Sequence, residues 1–300
     1  MRLNSTPLLT KRECEALLAA RAAGHTQVEC TLDLGRTRST VTLGADAWTW
    51  EGGAFPYAAG CKPRTIYHWT GSGFEPIARY TTSLFKLVPT DWGPPTFEID
   101  GIKMLPTAKV SPYADAQRKV GLIAPRGKVV LDTCGGLGYF AAWCLHDGAA
   151  RVLSFEKHAG VLWLRSLNPW SPDSPWQEPP GPALQLAQGD IAQAIHALPD
   201  RSVDAILHDP PRFAIAGELY SQLFYGQLAR VLRPGGMLFH YTGAPNSLSR
   251  GRELAREVTT RLGHAGFAAE LNGDGVLARA TDARPPRARV RGARGTVRRR

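Results

Sequence analysis

The chain has only five cysteines in 300 residues and few acids near its C-terminal end. Cys14, Cys30, Cys61, Cys134 and Cys144 are scattered, odd in number, and form no C-x-x-C pair. Such usage argues against a zinc site or a disulfide framework and for a reducing compartment. Apolar runs stay at strand length, far short of the roughly 20 residues of a membrane helix. Met1 to Ala20 has no continuous apolar stretch after its charges, which argues against a secretory signal. The expectation is a soluble, cytoplasmic protein without a metal.

The charge is unevenly placed. Of the net +10, most lies between Arg279 and Arg300, where nine arginines face one acid, Asp282. The rest of the chain nearly balances, with 27 basic and 25 acidic residues. Proline, glycine and arginine cannot build a core, so residues 281–300 read as a disordered tail. Such a tail tracks phosphates by counterion release, which makes nucleic acid the expected partner. The bland alternative is a solvated end.

What is present divides the chain into four parts. Residues 1–25 read as a helical segment capped at Thr10, with Leu17, Leu18 and Ala22 on one face. Residues 26–110 show short alternating runs such as VECTLDL, STVTLG and FEPIARY, separated by turn residues, and read as a small β-rich domain. Its Trp48, Trp50, Lys62, Arg64, Tyr67 and Trp69 could stack on RNA or form core and rim. Residues 111–280 alternate strands (129–133, 151–156, 184–188, 203–209, 235–241) with helices (138–147, 157–167, 190–197, 217–232, 249–264). FAAELN and VLARA close the series as a hairpin. This pattern predicts an α/β, doubly wound, mostly parallel sheet. The proline-rich stretch 168–183 reads as a surface loop.

The turn after the first of these strands, Asp132-Thr-Cys134-Gly-Gly136-Leu-Gly138, differs from a dinucleotide fingerprint. Its strand ends in an acid, which repels a pyrophosphate but attracts a cationic sulfonium bearing an ammonium group. Glu156, closing the next strand, can accept two ribose hydroxyls. Asp190 follows the third strand, placed for an adenine amino group with Ile191 beside the ring. In these ordered landmarks the chain resembles class I S-adenosylmethionine-dependent methyltransferases, although Cys134 replaces the usual first glycine. The resemblance implies a Rossmann-like methyltransferase sheet and S-adenosylmethionine as cofactor, held by Asp132, Cys134, Gly136, Gly138, Glu156, Asp190 and Ile191.

The fourth strand ends in HDPPRF, residues 208–213. Asp209 and the Pro210 carbonyl can accept the hydrogens of an amine and aim its lone pair at a methyl group. The motif resembles the (D/N)PP(aromatic) tetrapeptide of nucleic-acid amino-methyltransferases, in which the aromatic stacks on a flipped base. Here Arg212 stands fourth and Phe213 fifth, so either plane could stack. Neither Cys134 nor Cys144 is placed as a nucleophile for carbon methylation. Stretches such as LNPW and HDPPRFAIAGELY resemble an archaeal and bacterial methyltransferase group with a DPPRF motif, sometimes labelled spermidine-synthase-like.

The expectation is an N-methyltransferase acting on an exocyclic amine of a nucleic-acid base, with ribosomal RNA foremost. Asp209, Pro210 and Phe213 carry the chemistry; Arg212, Tyr220, His240 and Tyr241 bind substrate. His208 points to the opposite side and belongs to the core. Asn246, Ser249 and Arg250 open the helix that follows, with Ser249 as its cap and Arg250 or Arg252 facing a phosphate. Two alternatives stand beside this reading. One is a polyamine aminopropyltransferase, in which Asp209 takes a proton from the attacking amine and Tyr220 lines the channel. The other is an RNA-binding protein without chemistry.

Overall fold

The computed structural model describes residues 6–173, 181–243 and 250–281. Ser249, Asn246, the side chains of Arg250 and Arg252, and the arginine tail from 282 onward lie outside the described residues. Among the described residues, no helix is long and apolar enough to cross a membrane.

The C-terminal part is built on a seven-stranded sheet. Its strands in chain order are β1 (Val129–Asp132), β2 (Arg151–Glu156), β3 (Leu184–Gln188), β4 (Val203–His208), β5 (Leu232–Tyr241), β6 (Phe267–Asn272) and β7 (Gly275–Ala280). Their spatial order is β3-β2-β1-β4-β5-β7-β6. The first five are parallel, and β7 runs antiparallel between β5 and β6. The order reverses beside β1, and such a switch point opens a crevice at the carboxyl ends of the strands.

Alternation along the strands divides the core into two layers. Val130, Ala205 and Leu207 face helices α1 (Pro112–Ile123), α2 (Tyr139–His146) and α3 (Ala159–Leu167). Leu131, Ile206 and Leu238 face α4 (Gln222–Val231) and α5 (Arg250–His264). Helix α1 has clear local causes: the Ser111 side chain accepts from the Tyr113 N–H, Pro112 opens the first turn, and Ala124 ends it in a left-handed conformation. Residues 168–173, expected on the surface, are partly buried. Asn168 donates to Tyr139 Oη and Ser171 Oγ, and Ser171 Oγ donates to the Leu137 carbonyl beneath the glycine turn.

The N-terminal strands form three small antiparallel sheets. Leu8–Leu9 pairs with Tyr67 and His68, so Leu9, Cys14 and Leu17 share a core with the strands that follow. The helix Lys11–Ala22 has the capping box Thr10/Glu13, but its buried face is Glu13, Cys14, Leu17 and Ala20; Ala22 is exposed. FEPIARY divides at buried Ile77: Phe74–Pro76 joins one sheet and Ala78–Tyr80 the next. Trp48 is fully buried against Phe55 and Phe74, and Trp69 meets Phe55 edge-on. Trp48 belongs to the core, and Trp69 is half-buried against it. Cys14 and Cys61 are joined by a disulfide, against the expectation of a chain without a disulfide framework. Their 47-residue separation hid the pairing.

The third small sheet seats directly on the C-terminal part. Phe85 packs on Gly160 of α3 and on the His158 ring, and Phe97 lies against Gly136. A Cβ at Gly160 would overlap the Phe85 ring, which is itself buried. Gly160→Ala is therefore expected to cost about 1–3 kcal/mol, read from the shift of the urea midpoint.

Candidate active site

Asp132 ends β1 with 1% of its surface exposed. Its Oδ2 accepts from Ser154 Oγ of β2 at 2.8 Å, and its Oδ1 has no partner. Burial lifts its pKa to about 6, a rise that Ser154 and Arg165 only partly offset. An orphaned carboxylate oxygen is costly, and a cation lying against it would remove that cost.

The glycine turn wraps over this acid. The Gly135 N–H donates to the Phe155 carbonyl at 2.7 Å, and Ser154 Oγ leaves no room for a Cβ at Gly135. Gly136 (φ +49°) and Gly138 (φ +78°) adopt the left-handed backbone that glycine tolerates. Arg165, fully buried, lies under Gly138, where a Cβ would approach its Cζ to 2.6 Å. Arg165 pairs with Asp173 at 2.6 Å and braces Ser154.

A cavity of about 240 Å³ opens beside the turn. Cys134, Glu156, Asp190 and Ile191 line it together, as do Pro211, Ile215, Ala216, Glu218 and Leu219. The Gly136 and His158 N–H groups, each at 2.9 Å, fix the two Glu156 oxygens. A carboxylate has about four acceptor positions, so capacity for two hydroxyls remains. Asp190 caps the short helix Ile191–Ala194, accepting from the Ala192 N–H at 2.9 Å, and pairs with Lys157 at 2.8 Å. Burial opposes its ionisation, but Lys157 and the backbone donor outweigh it and lower its pKa. The orphaned acid, the crowded glycine turn and the ribose-spaced glutamate fit S-adenosylmethionine. Asp132, Gly136 and Gly138 shape the turn without lining the cavity.

Asp209 lies at the end of β4, outside the cavity lining. Lys119 Nζ of α1 donates to its Oδ2 at 3.2 Å, and no other donor among the described residues reaches this carboxylate. Burial raises the Asp209 pKa, and Lys119 pulls it partly back. Lys119, itself 1% exposed, also pairs with Asp115 at 2.9 Å. Burial would lower its pKa, but Asp209 and Asp115 outweigh that and keep it charged. The Pro210 carbonyl accepts no hydrogen bond among the described residues, and Tyr220 Oη donates to the Pro211 carbonyl at 3.1 Å. Phe213 meets Tyr220 edge-on and is 49% exposed; Ile215, on the cavity wall, is 52% exposed. Arg212 is exposed beside them. Tyr220 is buried and supports this segment.

His240 is not brought to the site. Parallel pairing sets His240 beside His208, on one face of the sheet, with their rings 4.4 Å apart. His240 bonds Tyr225 Oη and the Tyr241 carbonyl; His208 bonds Thr133 Oγ1 and the Leu219 carbonyl. Both are fully buried, and burial lowers their pKa values, to about 4 for His208. Tyr241 faces the other way, its ring 3.7 Å from Lys119 Nζ. Lys119, Asp115, Lys157 and Arg165 were not singled out from sequence. The Asp115/Lys119 pair at i, i+4 on a capped helix was the available signal for two of them.

Comparison with known proteins supports the fold. Residues 177–268 match the family model of an S-adenosyl-L-methionine-dependent methyltransferase. An uncharacterized protein of Methanocaldococcus jannaschii is 44% identical over 184 residues, covering 61% of this chain and 61% of that protein. Polyamine aminopropyltransferase 2 of Streptomyces coelicolor is 28% identical over 141 residues, 46% of this chain and 25% of its own. The chain thus spans less than two thirds of the length of either relative. Two solved structures share the architecture. A spermidine synthase bound to the transition-state analogue AdoDATO superposes with a TM-score of 0.53 at 17% identity, over 69% of this chain and 73% of its own. The Thermotoga maritima spermidine synthase gives 0.51 at 16%, over 69% and 72%. By its sheet and its matched segment, this chain has the fold shared by S-adenosylmethionine-dependent methyltransferases and spermidine synthases.

Proposed function

We propose that the protein is an S-adenosylmethionine-dependent N-methyltransferase that acts on an exocyclic amine of an RNA base, ribosomal RNA foremost. The observation that carries this reading is the Lys119-anchored Asp209 carboxylate just beyond β4, followed in sequence by a Pro210 carbonyl that accepts no hydrogen bond among the described residues. Two acceptors side by side suit the two hydrogens of an amine. The cofactor supplies an activated methyl group, whose transfer leaves a neutral thioether. Asp132 balances its cationic end, Glu156 holds its ribose, and Asp190 with Ile191 receives its base. Asp209 and Pro210 hold the amine so that its lone pair meets the methyl carbon. The proton the nitrogen sheds passes to Asp209. Phe213 and Ile215, exposed at the rim with the Arg212 guanidinium, offer a flat surface for a base. The arginine tail adds salt-sensitive grip. With RNA as substrate the protein belongs in the cytoplasm, although the Cys14–Cys61 disulfide removes the cysteine argument for a reducing compartment.

The likeness to aminopropyltransferases favours a second reading, with Asp209 as acceptor of a polyamine proton. Against it, the arginine-rich tail repels an incoming polycation. Calorimetric titration separates the two. S-adenosylmethionine is expected to bind at least about tenfold more tightly than its decarboxylated form, a gap of ~1.4 kcal/mol. The reverse preference would favour polyamine synthesis.

A further inference from the structure

Lysine is almost never fully buried unless it is paired. Lys119 draws partners from three elements: Asp115 one turn earlier on α1, Asp209 after β4, and the ring of Tyr241 on β5. Asp115 is held in turn by Arg118 at 3.0 Å, and Arg118 reaches Asp274 in the β6–β7 turn at 2.7 Å. An alternating chain of charge, Asp274–Arg118–Asp115–Lys119–Asp209, therefore runs from the closing hairpin to the DPP motif. Stability alone does not call for such an array, because buried ion pairs often gain nothing over apolar packing. The arrangement places one cation at the one carboxylate in position to receive an amine.

We propose that Lys119 is the positioning residue of the acceptor site. Anchored on Asp115, it fixes the orientation of the Asp209 carboxylate by engaging one oxygen and leaves the other to the incoming amine. This role rests on the reading of Asp209 given above. The titratable groups that act on or with Asp209 are Lys119 and Asp115 of α1, Asp274 of the hairpin, Tyr220, Tyr241 of β5, and Asp132 and Cys134 of the glycine turn. Lys119 is the one cation in contact with Asp209; Arg118 lies beyond it, on Asp115 and Asp274. Removing its charge leaves burial and the neighbouring acids unopposed, so Asp209 is expected to hold its proton to higher pH.

The test is carbon-13 NMR of the full chain with S-adenosylmethionine, labelled at the aspartate carboxyl carbons. The Asp209 signal is assigned by its loss in Asp209→Asn. In Lys119→Gln and Lys119→Met the Asp209 midpoint is expected to rise by about one pH unit or more, whereas Lys119→Arg restores it. The acid limb of methyl transfer to RNA should move upward by the same amount in Lys119→Gln, with kcat falling more than KM rises. If Lys119→Met does not fold, Lys119→Gln carries the comparison. An unmoved midpoint in a folded neutral variant overturns the role of Lys119, whatever the RNA assay shows. A moved midpoint supports it, and if RNA then accepts no methyl group from the wild type, only the reading of Asp209 as the amine acceptor fails.

Discussion

Asp209→Ala is expected to lower methyl transfer about a thousandfold while changing the affinity for S-adenosylmethionine by no more than about twofold. The split follows from geometry. Asp209 lies outside the lining of the cofactor cavity but beside Pro210, at the carboxyl end of β4. Its loss removes one of two acceptors that aim the amine and leaves Glu156 and Asp190 untouched. It also leaves Lys119 with Asp115 as its remaining carboxylate partner, enough to keep the ammonium charged. Single-turnover rates and calorimetry check the two halves. Retained activity would remove Asp209 from the mechanism.

The second large effect belongs to Asp132. Asp132→Asn is expected to weaken S-adenosylmethionine binding about a hundredfold, close to 3 kcal/mol, because the cation loses its buried counter-charge. The same substitution should stabilise the ligand-free protein at neutral pH. The folded-state pKa of about 6 lies above the ordinary 3.8, so folding favours the protonated acid. Its contribution to stability is full below pH 3.8 and is lost as pH rises through 6, a loss of order 3 kcal/mol. The asparagine variant escapes that loss. Thermal melts should show it above the wild type at pH 8, with the gap closing toward pH 4. Wild-type affinity for the cofactor should rise with pH through 6, and the variant's should stay flat. A wild type that binds equally well on both sides of pH 6 would place the cation elsewhere.

These two acids were legible in the sequence because each ends a strand whose period is plain, and a strand end in a doubly wound sheet faces the ligand crevice. The seven-stranded sheet was readable for the same reason, down to the FAAELN and VLARA hairpin. The face of a side chain was harder to read. His240 and Tyr241 both end β5, but residues alternate sides, and the register with His208 turns His240 into the layer of α4 and α5. Lys119 escaped notice because its contact with Asp209 spans 90 positions of sequence. Arg165 did so because its value lies beneath a glycine turn. The N-terminal aromatics read ambiguously between platform and core, since burial against Phe55 and Phe74 is a property of packing, not of composition.

The most direct test of the proposed function is transfer of labelled methyl from S-adenosylmethionine to total RNA from cells lacking this protein, followed by mass spectrometry of the nucleosides. The result expected is label on a nucleoside methylated at an exocyclic amine, abolished by Asp209→Ala. RNA that stays unlabelled, while decarboxylated S-adenosylmethionine and a diamine yield a longer polyamine, would contradict the account.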